Sequence, residues 1–279
     1  MDVYSPKTIK EAADLLAELR GDTRILAGGT DLVVRMKEKT VLPKNIINIK
    51  RLPLDYIIED KEQIRICSLT SLATVSSSKI IKTYAPVLSD AAQKIGSPQI
   101  RNLGTIGGNI ANASPAADTA PPLFVLNARI ALKSQRGNRV IPIDKFFTAP
   151  GMTIMNRNEI LTEIVLKKME NNEIWFFSKI GQRKTLALSK VSLAFRGKLN
   201  RKGLSDVSIA LGAVAPTVIY AEETANFLNS KSLTDEVIDQ AAEIIQLEAK
   251  PISDIRSTSE YRRKMVGALL KQGLLELRL

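Results

Sequence analysis

Histidine is absent from all 279 residues, and cysteine occurs once. The first absence removes imidazole acid–base catalysis and the common zinc sites. The second removes a disulfide framework within the chain and any iron–sulfur cluster built from its own thiolates alone. The one cysteine, in Ile64-Arg65-Ile66-Cys67, reads as a buried strand residue. Aromatic residues make up only 5%, so a base-stacking platform is poorly supplied and no nucleic-acid partner is expected, despite a formal net charge of +11. No apolar run approaches the roughly 20 residues that a membrane span needs. Met1 to Lys10 is polar rather than an apolar signal segment, and the expected location is cytoplasmic. Any chemistry must come mainly from a bound cofactor.

Apolar residues, by contrast, make up 44% of the chain, enough for a full core and for two or three compact domains. Residues 8–20 predict a helix, because Ile9, Ala12, Ala13, Leu15, Leu16 and Leu19 share one stripe and Gly21 follows as a stop. Strands are expected at 24–27, 46–49, 56–59 and 64–67, a short helix within 68–78 and a longer one at 86–95. The turn residues of 96–104 argue for an irregular connection. Beyond it the pattern predicts a helix running to Leu126, strands at 128–133, 160–166, 174–180, 190–197 and 207–214, and a helical turn at 144–147. Helices close the chain at 234–247 and 258–273. Near Asn171 the texture changes from alternating strands and helices to strands in series followed by helices. This predicts a second, smaller α+β unit at 171–279, after a first at 1–170 with parts of about 1–53 and 54–170.

Between Lys167 and Lys202 basic residues are dense: Lys167, Lys168, Lys179, Arg183, Lys184, Lys190, Arg196, Lys198, Arg201 and Lys202. Two readings stand, a solvated sheet face and a docking surface for an acidic partner subunit.

Two glycine segments carry the chemistry. Ala27-Gly28-Gly29-Thr30-Asp31 lies between a strand and a helix, where unpaired N–H groups and the helix dipole favour an anion. Thr105-Ile106-Gly107-Gly108-Asn109 repeats the plan, with paired glycines beside hydroxyl and amide side chains. Neither has the spacing of the dinucleotide fingerprint or of the phosphate loop ending in Gly-Lys-Ser/Thr. Together they predict a clamp whose main-chain amides grip a diphosphate from both sides.

Three stretches resemble one family, the flavin-binding medium subunits of the molybdenum hydroxylases, the group of xanthine dehydrogenase, carbon monoxide dehydrogenase and the aldehyde oxidoreductases. They are Ile25 to Leu32, Arg101 to Ile110 running on to Ser114-Pro115-Ala116-Ala117-Asp118, and the tail Pro251 to Arg263. The resemblance spans almost the whole chain. It implies an α+β fold: a two-part FAD-binding domain of the vanillyl-alcohol oxidase (PCMH) type, then a small C-terminal domain with an antiparallel sheet and helices. It implies FAD in this chain, and a molybdenum cofactor and two [2Fe-2S] clusters in partners. Those partners would be a large and a small subunit, assembled as a dimer of heterotrimers that serves an external electron acceptor.

Carried over by residue, Ile25, Leu26, Ala27, Gly28, Gly29, Thr30, Asp31 and Leu32 would wrap one side of the FAD diphosphate. Gly104, Thr105, Ile106, Gly107, Gly108 and Asn109 would wrap the other. Asp31 would cap the following helix with its carboxylate turned from the phosphates. Asp118 would accept hydrogen bonds from cofactor hydroxyls, with a helix N-cap as its alternative. Leu161 would face the isoalloxazine, and Lys179 would stand near it as a cation. Ile95 holds a position where xanthine dehydrogenases place an aromatic ring. The lone Cys67 separates this chain from 4-hydroxybenzoyl-CoA reductases, whose corresponding subunit carries an extra cluster. Two alternatives remain open: a self-contained flavin oxidoreductase of the vanillyl-alcohol oxidase type, and a flavin-free interaction subunit.

Overall fold

The computed structural model describes residues 1–182, 188–201 and 203–278. At the N-terminus, the strands Asp2–Tyr4, Asn45–Asn48 and Thr23–Leu26 form a parallel sheet in that spatial order. Helix Ile9–Glu18 starts where the Thr8 side chain accepts from the Glu11 N–H at 3.1 Å, satisfying one orphan donor. Its apolar stripe buries Ala12, Ala13 and Leu16 in a cluster with Ile47, Leu54 and Cys67. The central strand of this sheet buries Ile46 and Ile47.

A five-stranded antiparallel sheet follows, in the order Ile57–Glu59, Gln63–Cys67, Ile160–Lys167, Arg129–Ser134 and Gly137–Pro142. Alternation decides its faces: Ile64, Ile66, Ile130, Leu132, Ile164 and Leu166 point into the largest cluster, which also holds Ile106, Ile110 and Leu123 from short helices. Cys67 faces the other way, fully buried against the N-terminal layer.

The last part is a four-stranded antiparallel sheet, Glu173–Gly181, Ser189–Asn200, Gly203–Gly212 and Ile219–Tyr220. Helices Glu222–Leu228, Asp235–Glu248 and Ser259–Arg278 complete it. Leu193, Phe195 and Leu211 pack with Val266, Leu270 and Leu274. The Phe176 and Phe195 rings stack at 5.1 Å. Phe177, Ala194 and Ala210 belong instead to the cluster under the five-stranded sheet, so that core runs through both parts of the chain.

Three expectations change. The 96–104 connection is not irregular: it contains helix Pro98–Leu103, with Pro98 in its first turn and Ser97 accepting from the Ile100 N–H, and turn-forming residues at a helix start mimic a loop. A second helix, Ile106–Ala111, begins inside the glycine segment. The last helix does not stop at Gly273 but runs to Arg278. A Cβ on Gly273 would lie 2.3 Å from the Phe176 ring, so this glycine serves close packing rather than termination.

Among the basic residues of 167–202, Lys168 pairs with Glu59, Lys179 with Asp118, Arg196 with Glu173, and Lys198 with Glu170 and Asp206. Much of that density is thus neutralised inside the chain. Arg183, Lys184 and Lys202 lie outside the described residues.

Candidate functional site

Strand Thr23–Leu26 delivers the first glycine segment and helix Leu32–Lys37 follows it. The second segment sits on the junction of helices Pro98–Leu103 and Ile106–Ala111. The two meet backbone to backbone: a Cβ on Gly28 would stand 2.1 Å from the Leu103 carbonyl oxygen and 3.0 Å from Gly104 Cα. Only glycine permits that approach.

Beside this contact opens a cavity of about 290 Å³. From the first segment Ile25, Ala27, Gly28, Gly29, Thr30, Asp31 and Leu32 line it; from the second, Gly104, Thr105, Gly107, Gly108 and Asn109. Ile95 and Leu161 complete the expected set on its wall. Four expected residues do not line it. Ile106 is fully buried in the main core, and Leu26 packs behind the turn, its Cδ1 at 3.2 Å from where a Gly29 Cβ would lie. Asp118, which is buried, and Lys179, which is partly buried, form an ion pair at 2.6 Å outside the wall.

The two segments offer different donors. Among the described residues, the N–H groups of Gly28, Gly29, Thr30 and Asp31 have no protein acceptor. Gly29 stands at φ +78°, and successive unpaired amides beside such a residue are the kind of group that can hold an anion. In the second segment four of five amides are engaged: Ile106 donates to Thr70 O at 3.0 Å, Gly107 to Ser68 O at 2.9 Å, Gly108 to Thr105 Oγ1 at 3.1 Å and Asn109 to Thr105 O at 2.9 Å. Among the described residues the Thr105 N–H has no protein acceptor, so this segment presents one amide with the Thr105 hydroxyl and the Asn109 side chain. The amide grip is therefore uneven, because the first-turn N–H groups at the second glycine pair are taken by Ser68 O, Thr70 O and the Thr105 side chain.

Asp31 stands at the N-cap position but makes no side-chain cap bond; its carboxylate lies 3.7 Å from the Arg35 guanidinium one turn on. Arg35 and Arg24 both line the cavity, Arg35 beside Asp31 and Arg24 paired with Asp22 at 2.9 Å. Asp118 does not cap a helix either, since Thr119 holds the N-cap position of Ala120–Val125. Its oxygens accept from Lys179 and Ser189, tying the segment after the second glycines to the C-terminal sheet. Burial pushes the Asp118 carboxyl above its ordinary range, against the pull of the Lys179 ammonium. Lys179 also donates to Lys94 O at 3.0 Å, next to the cavity-lining Ile95.

Sequence reasoning missed Ser68. It lines the cavity, is buried, and its hydroxyl has no partner among the described residues. Nothing marks it in sequence, since it simply follows a strand that reads as core. The orphaned hydroxyl costs about 1–3 kcal/mol, and because its oxygen is shut off from the cavity surface it reaches a ligand only by turning. The donor set as a whole, the open amides of Gly28, Gly29, Thr30, Asp31 and Thr105 with the side chains of Thr30, Thr105 and Asn109, fits the acceptor-only oxygens of a diphosphate. The same chemistry fits FAD.

By fold and donor set, this is an α+β protein with a cradle for an anionic cofactor. Residues 1–166 match the FAD binding domain in molybdopterin dehydrogenase, and residues 176–277 match the CO dehydrogenase flavoprotein C-terminal domain. The chain is 32% identical over 274 residues to the carbon monoxide dehydrogenase medium chain of Hydrogenophaga pseudoflava, covering 98% of this chain and 95% of that one. It is also 32% identical over 271 residues to the glyceraldehyde dehydrogenase medium chain of Sulfolobus acidocaldarius, covering 97% and 95%. A solved structure of the Hydrogenophaga pseudoflava carbon monoxide dehydrogenase, in a form lacking the Mo-pyranopterin moiety, superposes with a TM-score of 0.95 at 33% identity, over 99% of this chain and 96% of that one. This chain belongs to the family of FAD-binding subunits of the molybdenum hydroxylases, and is an oxidoreductase subunit. Among the described residues, no helix is long and apolar enough to cross a membrane.

Proposed function

We propose that this chain is the FAD-carrying electron-transfer subunit of a heteromeric molybdenum hydroxylase acting on an aldehyde or on carbon monoxide. It receives electrons from two [2Fe-2S] clusters of a small subunit and delivers them to an external acceptor, while substrate is oxidised at a molybdenum cofactor on a large subunit. The assembly is a dimer of heterotrimers. When bound, FAD supplies reversible electron storage, and the protein supplies position and electrostatics.

The supporting observation is the run of four unpaired amides on a cavity shared with Thr105 and Asn109. In this reading the residues of 25–32 and 104–109 hold the diphosphate end, with Leu26 and Ile106 shaping their segments from behind. Ile95 and Leu161 face the flavin ring. Asp118 and Lys179 act from behind the wall, where the ammonium favours added negative charge on the ring. Unit 1–170 holds the cofactor, and unit 171–279 supports it from behind through Lys179 and Phe177.

Purification from the native source tests the proposal. Flavin absorption bands together with a molybdenum-bearing chain and a two-cluster iron–sulfur chain are expected. A chain recovered alone, colourless even after FAD is added, would overturn it.

A further inference from the structure

The second glycine segment has one unpaired amide, at Thr105, so the orientation of its side chains largely decides what it can bind. Asn109 is the critical one. An asparagine amide accepts at Oδ1 and donates at Nδ2, and the two ends have nearly the same shape. A half-turn of the side chain would convert a phosphate donor into a repelling carbonyl.

Thr119 holds that choice. It is fully buried, and its hydroxyl donates to Asn109 Oδ1 at 2.6 Å. The hydroxyl is not used for capping, although Thr119 stands at the N-cap position of helix Ala120–Val125. Among the described residues Asn109 Nδ2 has no protein partner, and Asn109 lines the cavity. The hydroxyl could accept from Nδ2 of a flipped amide, but its own fully buried proton would then lose the one acceptor it has among the described residues. The donor therefore stays on Oδ1, and Nδ2 is the end left for a ligand.

We propose that Thr119 is a positioning residue for the cofactor: its hydroxyl locks the Asn109 amide so that the second wall presents a hydrogen-bond donor. The inference rests on the reading of the cavity as the FAD diphosphate site. With the lock in place, the second wall matches the first in polarity although four of its five backbone amides are engaged elsewhere. Without it, Asn109 samples both orientations, and only one of them accepts an oxyanion.

The test is FAD titration of the full chain, purified with whatever chains accompany it and stripped of flavin. Thr119→Val keeps the shape and removes the donor, and is expected to weaken FAD binding about five- to tenfold, the usual worth of one neutral hydrogen bond. Thr119→Ser keeps the donor and is expected to restore affinity. In an Asn109→Ala background, Thr119→Val is expected to cost nothing further, because the coupling between the two residues is then already gone. Melting of the flavin-free proteins is followed in parallel, and Thr119→Ala is read in the same way should the valine variant fold poorly. Unchanged affinity in both variants would overturn the proposal, as would an equal loss with and without Asn109. A wild-type protein that takes up no FAD would overturn the cofactor reading as well.

Discussion

The two glycine segments look alike in sequence and do different work. In the first, Gly29 adopts a positive φ and four successive amides stay open to the cavity. In the second, the glycines sit in a helical turn whose amides are spoken for, and a Cβ on Gly107 would stand 2.5 Å from Ser68 Cβ and 2.7 Å from Ser68 O. Gly28 lets the first segment meet the Leu103 carbonyl, while Gly107 lets a helix approach the sheet end at Ser68. Paired glycines therefore report close backbone approach in both places, but leave a run of open amides in only one of them.

Substitutions can break this comparison. The largest effect is expected for Gly28→Ala, whose methyl would collide with the Leu103 carbonyl and separate the segments. Loss of bound FAD should come with a fall in stability of about 1–3 kcal/mol, read from flavin content and denaturant unfolding. Gly108→Val is expected to separate the two effects. Its Cβ position meets only the Thr105 hydroxyl, at 2.8 Å, and Ala27 Cβ, at 3.9 Å. FAD affinity should drop about 10- to 100-fold while the melting temperature moves little; full flavin content would remove the second segment from the cradle.

Two smaller effects sharpen the picture. Lys179→Ala leaves the Asp118 carboxyl buried without its ammonium and should lower the flavin reduction potential by on the order of 30 mV, with binding largely intact. An unchanged potential in redox titration would place this pair beyond the ring's influence. Ser68→Ala should act in opposite directions on the two states, raising the melting temperature of the flavin-free protein slightly and weakening FAD binding a few-fold. The same sign in both states would make Ser68 a packing residue.

Much of the architecture was legible because strand and helix periods are strong where one face is buried, as in Ile64 and Ile66 or Ala12, Ala13 and Leu16. The fourteen expected residues that line the cavity came from the glycine segments and the family resemblance together. Three features were hidden for physical reasons. Helix Pro98–Leu103 buries none of its residues and so carries no apolar stripe to read. Gly137–Pro142 pairs only with Arg129–Ser134 at the sheet edge and is mostly exposed, so its alternation is faint. The roles of Ser68 and Thr119 depend on what stands opposite them in space, which no local pattern records.

Phe177, Ala194 and Ala210 insert the C-terminal sheet into the core beneath the five-stranded sheet. Severing the chain near residue 170 would strip that core of one wall and leave an oily scar on each fragment. Heating should accordingly melt the intact molecule in a single step, and neither fragment should stay in solution without the other.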